Sequence, residues 1–503
     1  MKNIIKFAEV SFIYDFQMFR HSPIILAISC ICAFAVFSCS KDTDSPEPEL
    51  PVTPEPEPEP EPAPAIPDDS EVQYFIASLT GNELPSQGEA AVVEPDKLNN
   101  VRTELWTKWK VANLYQSDRL ADPQVMSQLN FNNLTETGSW QVTDGKMSYT
   151  YATKGNKPES GYPLFIALHG SSTDTYAEWS TVGAWCAYFQ DSPSAYFVPR
   201  SPMGGTGCRW YQPSRQEVWE RVIRLAYLSE NVNPDKIYIM GISEGGYGSQ
   251  RLASFYADYL AGAGPIAGAE PFYNCPAENT ANLVFCQQVG ANDTSYGRAR
   301  ITGICKKEWQ RLANLHPGYY THKIDLQPGM GHGCDYTVTT PWLLKYTRNP
   351  HPKYVYWENF ALGNVNGESY NCREGFYNLR VIEGQHGKTD GPTRDAYEMT
   401  ITGNNIDLKV MSVSVSPTDK VSQDGWTVKV GTSKTSVPAN KGKLRIYLDE
   451  NLVDLSKPVT ITVNGNKKFE GTVSTDRRTM TESLAFFFDP RRIFPVSVDV
   501  TVE

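Results

Sequence analysis

Residues 237–250, IYIMGISEGGYGSQ, place a serine among glycines directly after an apolar run. Gly241, Ser243 and Gly245 fit the pattern G-x-S-x-G, with a predicted strand before it and a predicted amphipathic helix after it. Such a turn closes only if the residues two positions from the serine lack side-chain bulk, and the helix then directs its positive end at the serine. The pattern predicts a reactive hydroxyl at Ser243. The alternative is a glycine turn that only begins a helix.

The stretch around this motif alternates short apolar runs with helical patterns. The runs PLFIALHG (163–170), SAYFVPRS (194–201) and KIYIMG (236–241) are almost entirely apolar, as expected for strands buried on both faces. Because such strands alternate with helices, we predict an α/β fold with a mostly parallel sheet and helices on both faces. We assign it, with an N-terminal extension, to residues 71–350.

Beyond about residue 350 the pattern changes to β-branched, alternating segments separated by turns. Asn464-Gly465, between TITV and NKKF, is a strong signal for a hairpin. The pattern of residues 351–503 therefore predicts a C-terminal antiparallel β-sandwich. It is either a carbohydrate-binding module or a rigid buttress for the α/β domain. We favour the buttress, because NPHPKYVYW enters it without a flexible linker.

Residues 1–38 have the order of a secretory signal, with Arg20 and His21 before the apolar stretch 24–38. That stretch is short for a membrane span, although an uncleaved anchor helix is the alternative. VFSC, ending at Cys39, resembles the lipobox of bacterial lipoproteins, and CSKDTD resembles the export signal of surface lipoproteins in Bacteroidetes. The resemblance implies lipidation of Cys39, a membrane contact through the lipid anchor, and a location at the outer membrane or cell surface.

Residues 39–70 are predicted to form a Pro/Glu-rich linker. Alternating Pro and Glu favours extended polyproline II, in which 22 residues at ~3.1 Å each reach roughly 70 Å. Residues 41–71 contain eleven acidic residues and one lysine, so this segment carries nearly all of the net charge of −11 of the whole chain. The rest is nearly neutral and has no basic block, so the sequence gives no support for nucleic-acid binding.

Seven cysteines follow Cys39, and an oxidising compartment would favour disulfides among them. They are Cys186, Cys208, Cys275, Cys286, Cys305, Cys334 and Cys372. The number is odd, so at least one thiol is expected to stay free or to pair outside the chain. Neither a CxxC pair nor HExxH occurs, so we predict no metal site and no cofactor.

A serine needs a base to act as a nucleophile at neutral pH. Of the seven histidines, only His332 lies in a glycine-rich loop after the predicted last strand, in HKIDLQPGMGHGCDY. We therefore predict His332 as the base. His322, at the start of a strand, and His351, between prolines, are expected to be structural.

The base in turn needs a carboxylate that fixes its tautomer. The chain order serine, acid, histidine requires one between residues 243 and 332, after a strand. Asp293, which follows NLVFCQQVG, is our prediction. Asp325 lies inside a strand, Asp335 follows the histidine too closely, and Glu270 is a weaker alternative.

Two backbone N–H groups would have to hold the oxyanion of the reaction. One is the amide of Glu244, at the start of the helix. The second is expected from Gly170 or Ser171 in LHGSS, where His169-Gly170 resembles the HG element of esterases. The alternative for LHGSS is a turn that only ends the strand.

Together, GKMSYTYATKG, GYPLFIALHGSS, NPDKIYIMGISEGGYG and PGMGHGCDY resemble the α/β-hydrolase esterases. They are most similar to exported carbohydrate esterases related to feruloyl and polyhydroxybutyrate esterases, including pectin methylesterases. The resemblance covers about residues 140–350. It implies Ser243 as nucleophile, His332 as base and Asp293 as acid, in a serine esterase of plant-type polysaccharide degradation. HGSS lacks the extra glycines of many relatives, and GANDTSYG matches the acid loop imperfectly.

The long loop PRSPMGGTGCRWYQPSRQ (199–216) lies at a strand end, where such sheets bind ligands. Arg209 could pair with a uronic carboxylate, and Trp210 and Tyr211 could stack on sugar rings. Alternatively, an arginine ties the loop to an acidic side chain.

The expected function is removal of acyl or methyl esters from a polysaccharide, with neighbouring glycan-degrading enzymes as further partners. Two other functions stay open. One is a serine peptidase of the prolyl-oligopeptidase type, which shares the fold and triad. The other is a glycan-binding lipoprotein with an inactive site.

Overall fold

The computed structural model describes residues 66–87, 90–126, 135–205, 209–362, 372–386, 392–423 and 426–503. Residues 63–503 form one compact unit, which the following paragraphs concern. The predicted signal and most of the predicted linker, including Cys39, lie outside the described residues. Among the described helices, none combines the length and the apolar character needed to cross a membrane.

Nine strands of the described chain form one sheet, called the catalytic sheet below because it was predicted to carry the catalytic residues. They are β1 (Gln124–Val125), β2 (Gly138–Val142), β3 (Gly145–Lys154), β4 (Tyr162–Leu168), β5 (Ser194–Pro199), β6 (Val232–Ile242), β7 (Gly262–Ile266), β8 (Val284–Gly290) and β9 (His322–Gln327). The spatial order is β1-β3-β5-β4-β6-β7-β8-β9, with β2 also paired to β3. The strands from β5 to β9 run parallel, whereas β3 is antiparallel to β2 and β5.

Every residue of β4, β5, β7 and β8 is buried, because helices cover the sheet on both faces. The helices of this part are α3 (Thr175–Tyr188), α4 (Pro213–Leu228), α5 (Glu244–Phe255), α6 (Arg298–Leu315) and α7 (Thr339–Leu343). Alternate residues of β4 point to opposite sides. Ile166 packs in the core cluster with residues of α4, α5 and α6, and Phe165 packs in the cluster with residues of α3 and α7. The expected α/β-hydrolase sheet is confirmed.

The C-terminal region contains two further sheets. Its strands are β10 (Tyr354–Glu358), β11 (Gly375–Phe376), β12 (Leu379–Glu383), β13 (Thr393–Thr402), β14 (Asn405–Gln423), β15 (Trp426–Pro438), β16 (Gly442–Leu448), β17 (Val459–Val463), β18 (Asn466–Gly471) and β19 (Val496–Val502). One sheet has the order β10-β13-β14-β17-β18, with β15 on β14, and the other has the order β11-β12-β16-β19. The expected extra β-sheet region is present, and the Asn464-Gly465 hairpin joins β17 to β18. One pair, β14 with β17, runs parallel instead of antiparallel.

The N-terminal extension packs against the C-terminal region. Its helices are α1 (Ser70–Thr80) and α2 (Leu98–Asn113), and a C-terminal helix, α8 (Arg477–Phe487), lies against both. Phe75 and Trp109 form a cluster with Met480 and Leu484, and the Phe75 and Trp109 rings meet edge to face at 5.3 Å. Three short 3₁₀ helices complete the described elements: Pro95–Lys97, Ala277–Thr280 and Ser295–Gly297.

The catalytic sheet and the C-terminal sheets share one apolar core. Phe255 of α5 packs edge to face on Phe360 at 5.6 Å, and the rings of Tyr259 and Phe488 stack at 4.9 Å. Buried ion pairs reinforce the contact, since Asp258 binds Arg492 at 2.6 Å and also pairs with Arg373. The C-terminal region is therefore packed as part of the same body as the catalytic sheet.

Candidate active site

Ser243 lies on a sharp turn between strand β6 and helix α5. Its backbone angles, φ 54° and ψ −113°, are strained for a residue with a side chain. A Cβ on Gly241 would collide with the carbonyl oxygen of Gly245, and a Cβ on Gly245 would collide with that of Leu168. Gly241 is therefore needed for the turn to close and Gly245 for the turn to pack against strand β4, as the sequence indicated.

The turn brings Ser243 to a histidine and an aspartate from the two neighbouring loops. His332 Nε2 lies 3.1 Å from Ser243 Oγ, and His332 Nδ1 lies 2.8 Å from Asp293 Oδ2. Asp293 follows β8, and His332 follows β9. An ionised Asp293 can only accept, so Nδ1 carries the proton and Nε2 is left to accept from the serine hydroxyl. This is the order of contacts that a serine nucleophile requires.

A cation, Arg298, helps to keep Asp293 ionised. Arg298, at the start of α6, donates from Nε to Oδ2 at 2.8 Å and from Nη2 to Oδ1 at 2.6 Å. Burial opposes ionisation of Asp293, but hydrogen bonds from His332 and Arg298 outweigh it and lower the pKa of Asp293. Arg298 was not predicted from the sequence, because its position five residues after the aspartate follows no motif.

Backbone contacts fix the acid loop against the base loop. The Asn292 amide donates to the carbonyl of Met330 at 2.8 Å, and the Ala291 amide donates to that of Gln327 at 2.9 Å. Gly290 permits this approach, because a Cβ there would collide with the carbonyl oxygens of Gly331 and Met330. The Asp293–His332 distance is thus set by the main chain as well as by side chains.

The other candidate acids have partners of their own. Asp325 pairs with Lys323 at 2.9 Å, and Glu270 pairs with Arg251 at 2.7 Å. Asp335 accepts from the amide and hydroxyl of Thr337 in its own turn.

The two histidines that were expected to be structural also have local partners. His322 Nδ1 lies 2.8 Å from the carbonyl of Tyr320, and His351 lies 3.1 Å from Asp449.

Two of the residues predicted to form the oxyanion site, Glu244 and Gly170, lie beside Ser243. Glu244 is the first residue of α5, where helix amides have no acceptor within the helix. Gly170 lies directly against the serine, since a Cβ on it would be 3.5 Å from the Ser243 Cβ. Ser171 is exposed, and its hydroxyl donates to the carbonyl of Gly205 at 2.6 Å.

His169 orients this second donor loop. Its Nε2 accepts from the Ser201 amide at 3.0 Å, so the proton is on Nδ1, which donates to the Gly170 carbonyl at 2.6 Å. Desolvation by burial lowers the pKa of His169 to about 4 and keeps the ring neutral. Because the C=O and N–H of a trans peptide point in opposite directions, the Ser171 N–H points away from the His169 ring.

The side chain of Glu244 is buried next to the nucleophile. Arg209 Nη1 donates to Glu244 Oε2 at 3.1 Å and to Tyr211 Oη at 3.4 Å. Burial raises the pKa of Glu244 to about 7, although the Arg209 charge opposes the shift. The arginine of the long loop therefore ties that loop to an acidic side chain, while 30% of the Arg209 side chain stays exposed.

The structure does not support the expectation that Trp210 and Tyr211 stack on sugar rings, because both side chains are buried. Trp210 is 0% exposed, and its indole donates to the carbonyl of His169 at 2.9 Å. Tyr211 is also buried, with the Arg251 guanidinium 3.7 Å above its ring. Neither ring offers a face to a sugar. The sequence of a Gly/Pro-rich loop does not indicate whether an aromatic side chain points into the solvent or into the protein core.

The expected disulfides are not found among the described cysteines. Cys186, Cys275, Cys286, Cys305 and Cys334 are buried free thiols. Cys372 is buried, and Cys208 lies outside the described residues. Within the described ranges, no group of three or more His, Cys, Asp or Glu side chains is arranged to hold a metal ion.

Glu178 is a further carboxylate at the site that was not predicted from the sequence. It lies in the first turn of α3, and its Oε2 is 2.7 Å from the position that a Cβ on Gly170 would occupy. The fragment LHGSSTDTYAEW shows only a glutamate early in a helix, which is common. No signal in the sequence distinguished it from a surface residue.

Comparison with known proteins gives partial matches. No family model matches the chain. It is 25% identical over 171 residues to poly(3-hydroxyalkanoate) depolymerase C of Paucimonas lemoignei, which is 32% of this chain and 40% of that protein. It is 25% identical over 170 residues to a bifunctional acetylxylan esterase/xylanase of Neocallimastix patriciarum, which is 32% of this chain and 23% of that protein. The chain thus spans less than half the length of either relative.

Solved structures with some likeness include a carboxylesterase of Mesorhizobium loti and a feruloyl esterase module of Clostridium thermocellum. The first is 18% identical, with a TM-score of 0.31, covering 41% of this chain and 98% of that chain. The second is 11% identical, with a TM-score of 0.29, covering 45% and 92%. Scores this low do not establish a shared fold, so the α/β-hydrolase assignment rests on the strand order and the serine turn. One sequence relative is named as a depolymerase and the other as an acetylxylan esterase/xylanase, and the similarity is to part of this chain.

Proposed function

We propose that this chain is a serine carboxylic-ester hydrolase that removes acyl or methyl ester groups from plant-type polysaccharide. The observation that carries the proposal is the unbroken series of contacts from Asp293 through His332 to Ser243, at 2.8 and 3.1 Å. It is supported by the strained serine turn and by the start of α5 beside it. One sequence relative is named as an acetylxylan esterase, which favours a carbohydrate ester.

The proposed reaction has two halves. His332 Nε2 takes the proton of Ser243 as its oxygen attacks the ester carbon, and the amides of Glu244 and Ser171 bind the oxyanion. The intermediate expels the alcohol, which receives the proton from His332, and leaves an acyl-enzyme. Water then loses a proton to His332 and attacks the acyl carbon, which releases the acid and restores the serine.

Arg209 is proposed as a substrate contact beside this centre. Its exposed part could pair with a carboxylate of a uronic sugar, which would suit a pectic substrate. Its bond to Glu244 would have to be shared or exchanged on binding. The proposal therefore places Arg209 at the rim of the site and gives no role to Trp210 or Tyr211.

The decisive experiment measures release of acetate, ferulate and methanol from defined polysaccharides by the full chain. We expect release of at least one, and a loss of kcat on the order of 10⁶-fold in Ser243→Ala. Ser249→Ala, on the same helix, serves as the control and should keep wild-type activity. Cleavage of a peptide anilide without any ester hydrolysis would favour the peptidase. Glycan binding unchanged in Ser243→Ala, with no hydrolysis in either protein, would favour the inactive binder.

We also propose export as a lipoprotein, with the lipid on Cys39, at the outer membrane or cell surface. Residues 24–38 and the VFSC segment support it. Mass spectrometry of the membrane fraction should find Cys39 as a lipidated N-terminus, and Cys39→Ala should release the protein from membranes. An N-terminus elsewhere would contradict lipidation. A surface location would also bring it near other glycan-degrading enzymes.

A further inference from the structure

The carboxylate of Glu178 lies at the reaction centre without a role in the triad. Its Oε2 and the Ser243 Cβ both lie next to the position of a Cβ on Gly170, at 2.7 and 3.5 Å. The carboxylate therefore lies beside the predicted oxyanion loop and close to the nucleophile Ser243.

Glu178 differs from the other buried acids of the site in its partners. Asp293, Glu244 and Glu270 each bind an arginine. Within the described residues, the Glu178 carboxylate has no hydrogen bond and no ion pair, although the side chain is half-buried. Burial raises the pKa of Glu178, a shift that His332 opposes and Asp174 reinforces. A half-buried carboxylate without a protein partner has acceptor capacity that a bound molecule can satisfy.

The position of His332 indicates which part of a substrate would meet this carboxylate. His332 must give a proton to the leaving alcohol, so the alcohol oxygen lies close to its Nε2. In a sugar ester, a hydroxyl on the adjacent ring carbon lies next to that oxygen. An ionised carboxylate accepts such a hydroxyl in a strong, charge-assisted hydrogen bond.

We propose that Glu178 is a specificity residue that accepts a hydrogen bond from the free hydroxyl next to the ester in an acylated sugar. The inference rests on the proposed function and narrows its substrates. Methanol, as a leaving group, has no second hydroxyl, so Glu178 favours acyl esters of sugars over methyl esters. Its negative charge also disfavours a free carboxylate on the same sugar.

The test compares three acetyl esters with wild type, Glu178→Gln and Glu178→Ala. They are 4-nitrophenyl acetate, a mono-acetylated methyl xyloside with a free neighbouring hydroxyl, and the same xyloside with that hydroxyl methylated. We expect Glu178→Ala to lower kcat/KM on the free-hydroxyl xyloside about 10- to 100-fold, as for loss of a bond to a charged group. The other two esters should change less than about three-fold, and Glu178→Gln should fall between.

Asp174→Asn is the matched control, because it removes the nearby charge but leaves the Glu178 acceptor. It should keep the wild-type preference for the free hydroxyl. Equal losses on all three esters in Glu178→Ala would overturn the inference, since they would indicate a general or structural effect. The inference would also be overturned if Glu178→Ala kept the wild-type preference for the free hydroxyl. A loss of that preference in Asp174→Asn as large as the loss in Glu178→Ala would overturn it as well. A wild-type protein that hydrolyses none of the three esters would contradict the acyl-ester function itself.

Discussion

Two carboxylates near Ser243, those of Asp293 and Glu244, are both buried beside an arginine, yet their pKa values move in opposite directions. Arg298 meets Asp293 through two nitrogens, and His332 adds a third donor. Glu244 receives a single Arg209 nitrogen, and the negative charge of Glu270 lies nearby. At Asp293 the hydrogen bonds thus outweigh the effect of burial on the pKa, whereas at Glu244 the effect of burial is the larger. An arginine alone therefore does not keep a buried acid ionised, since burial, the number of donors and nearby like charges all act on its pKa.

Among changes to these two carboxylates and their arginines, the largest effect should come from removing the charge at Asp293. An asparagine keeps the size but cannot hold His332 in the tautomer that accepts from Ser243. We therefore expect Asp293→Asn to lower kcat by about four orders of magnitude, as in other serine triads. Steady-state kinetics on the best ester substrate measures this. Asp325→Asn, at a rejected candidate, should stay near wild type, and a loss below about ten-fold in Asp293→Asn would contradict the assignment.

A smaller effect should follow from removing Arg298, the cation that helps to lower the pKa of Asp293. Arg298→Gln deletes the charge-assisted bonds to Asp293, so we expect kcat/KM to fall about ten-fold or more. Arg298→Lys keeps the charge and should lose less. Because the pKa of Asp293 is lowered, its contribution to stability is present above its ordinary pKa and is lost as the pH falls. The gap in unfolding free energy between wild type and Arg298→Gln should therefore narrow from pH 7 to pH 3 in urea titrations, and a constant gap would refute this account.

The smallest effect is expected at Glu244. Its contribution to stability falls as the pH rises, which is opposite to the pH dependence at Asp293. Its raised pKa means that the native state holds a proton that the unfolded chain releases. Its contribution to stability is therefore largest below pH 4.5 and is lost as the pH rises through about 7. Relative to Glu244→Gln, wild type should be less stable at pH 8 than at pH 5. Urea unfolding at both values tests this, and a difference that does not vary with pH would show that Glu244 stays ionised.

Much of the site could be predicted from sequence, because its constraints are local. The glycines around Ser243 indicate a turn in which any larger side chain would collide with the backbone. Asp293 and His332 each lie in a loop that follows a strand. Arg298, Glu178 and the burial of Trp210 could not be predicted. Each depends on which way a side chain points after the chain has folded, and the sequence does not show that direction for an arginine or glutamate early in a helix or for a tryptophan in a loop.

The fold shows the same limit. Apolar strands predicted the catalytic sheet, since burial on both faces leaves a continuous signal. Helix α8, RRTMTESLAFF, was missed within a region dominated by alternating strands. The thiols were expected to pair on grounds of compartment alone, but pairing also needs two Cα atoms within about 7 Å, which composition does not reveal.

Helices α1 and α2 precede the catalytic sheet in the chain but pack on α8, after most of the C-terminal strands. Arg477 of α8 also binds Glu71 and Glu104 from those helices. A gene fusion that transplanted only the catalytic segment would leave the apolar sides of α1 and α2 without their cover. Recombination between this protein and a homologue is therefore expected to succeed only when both flanks come from the same parent.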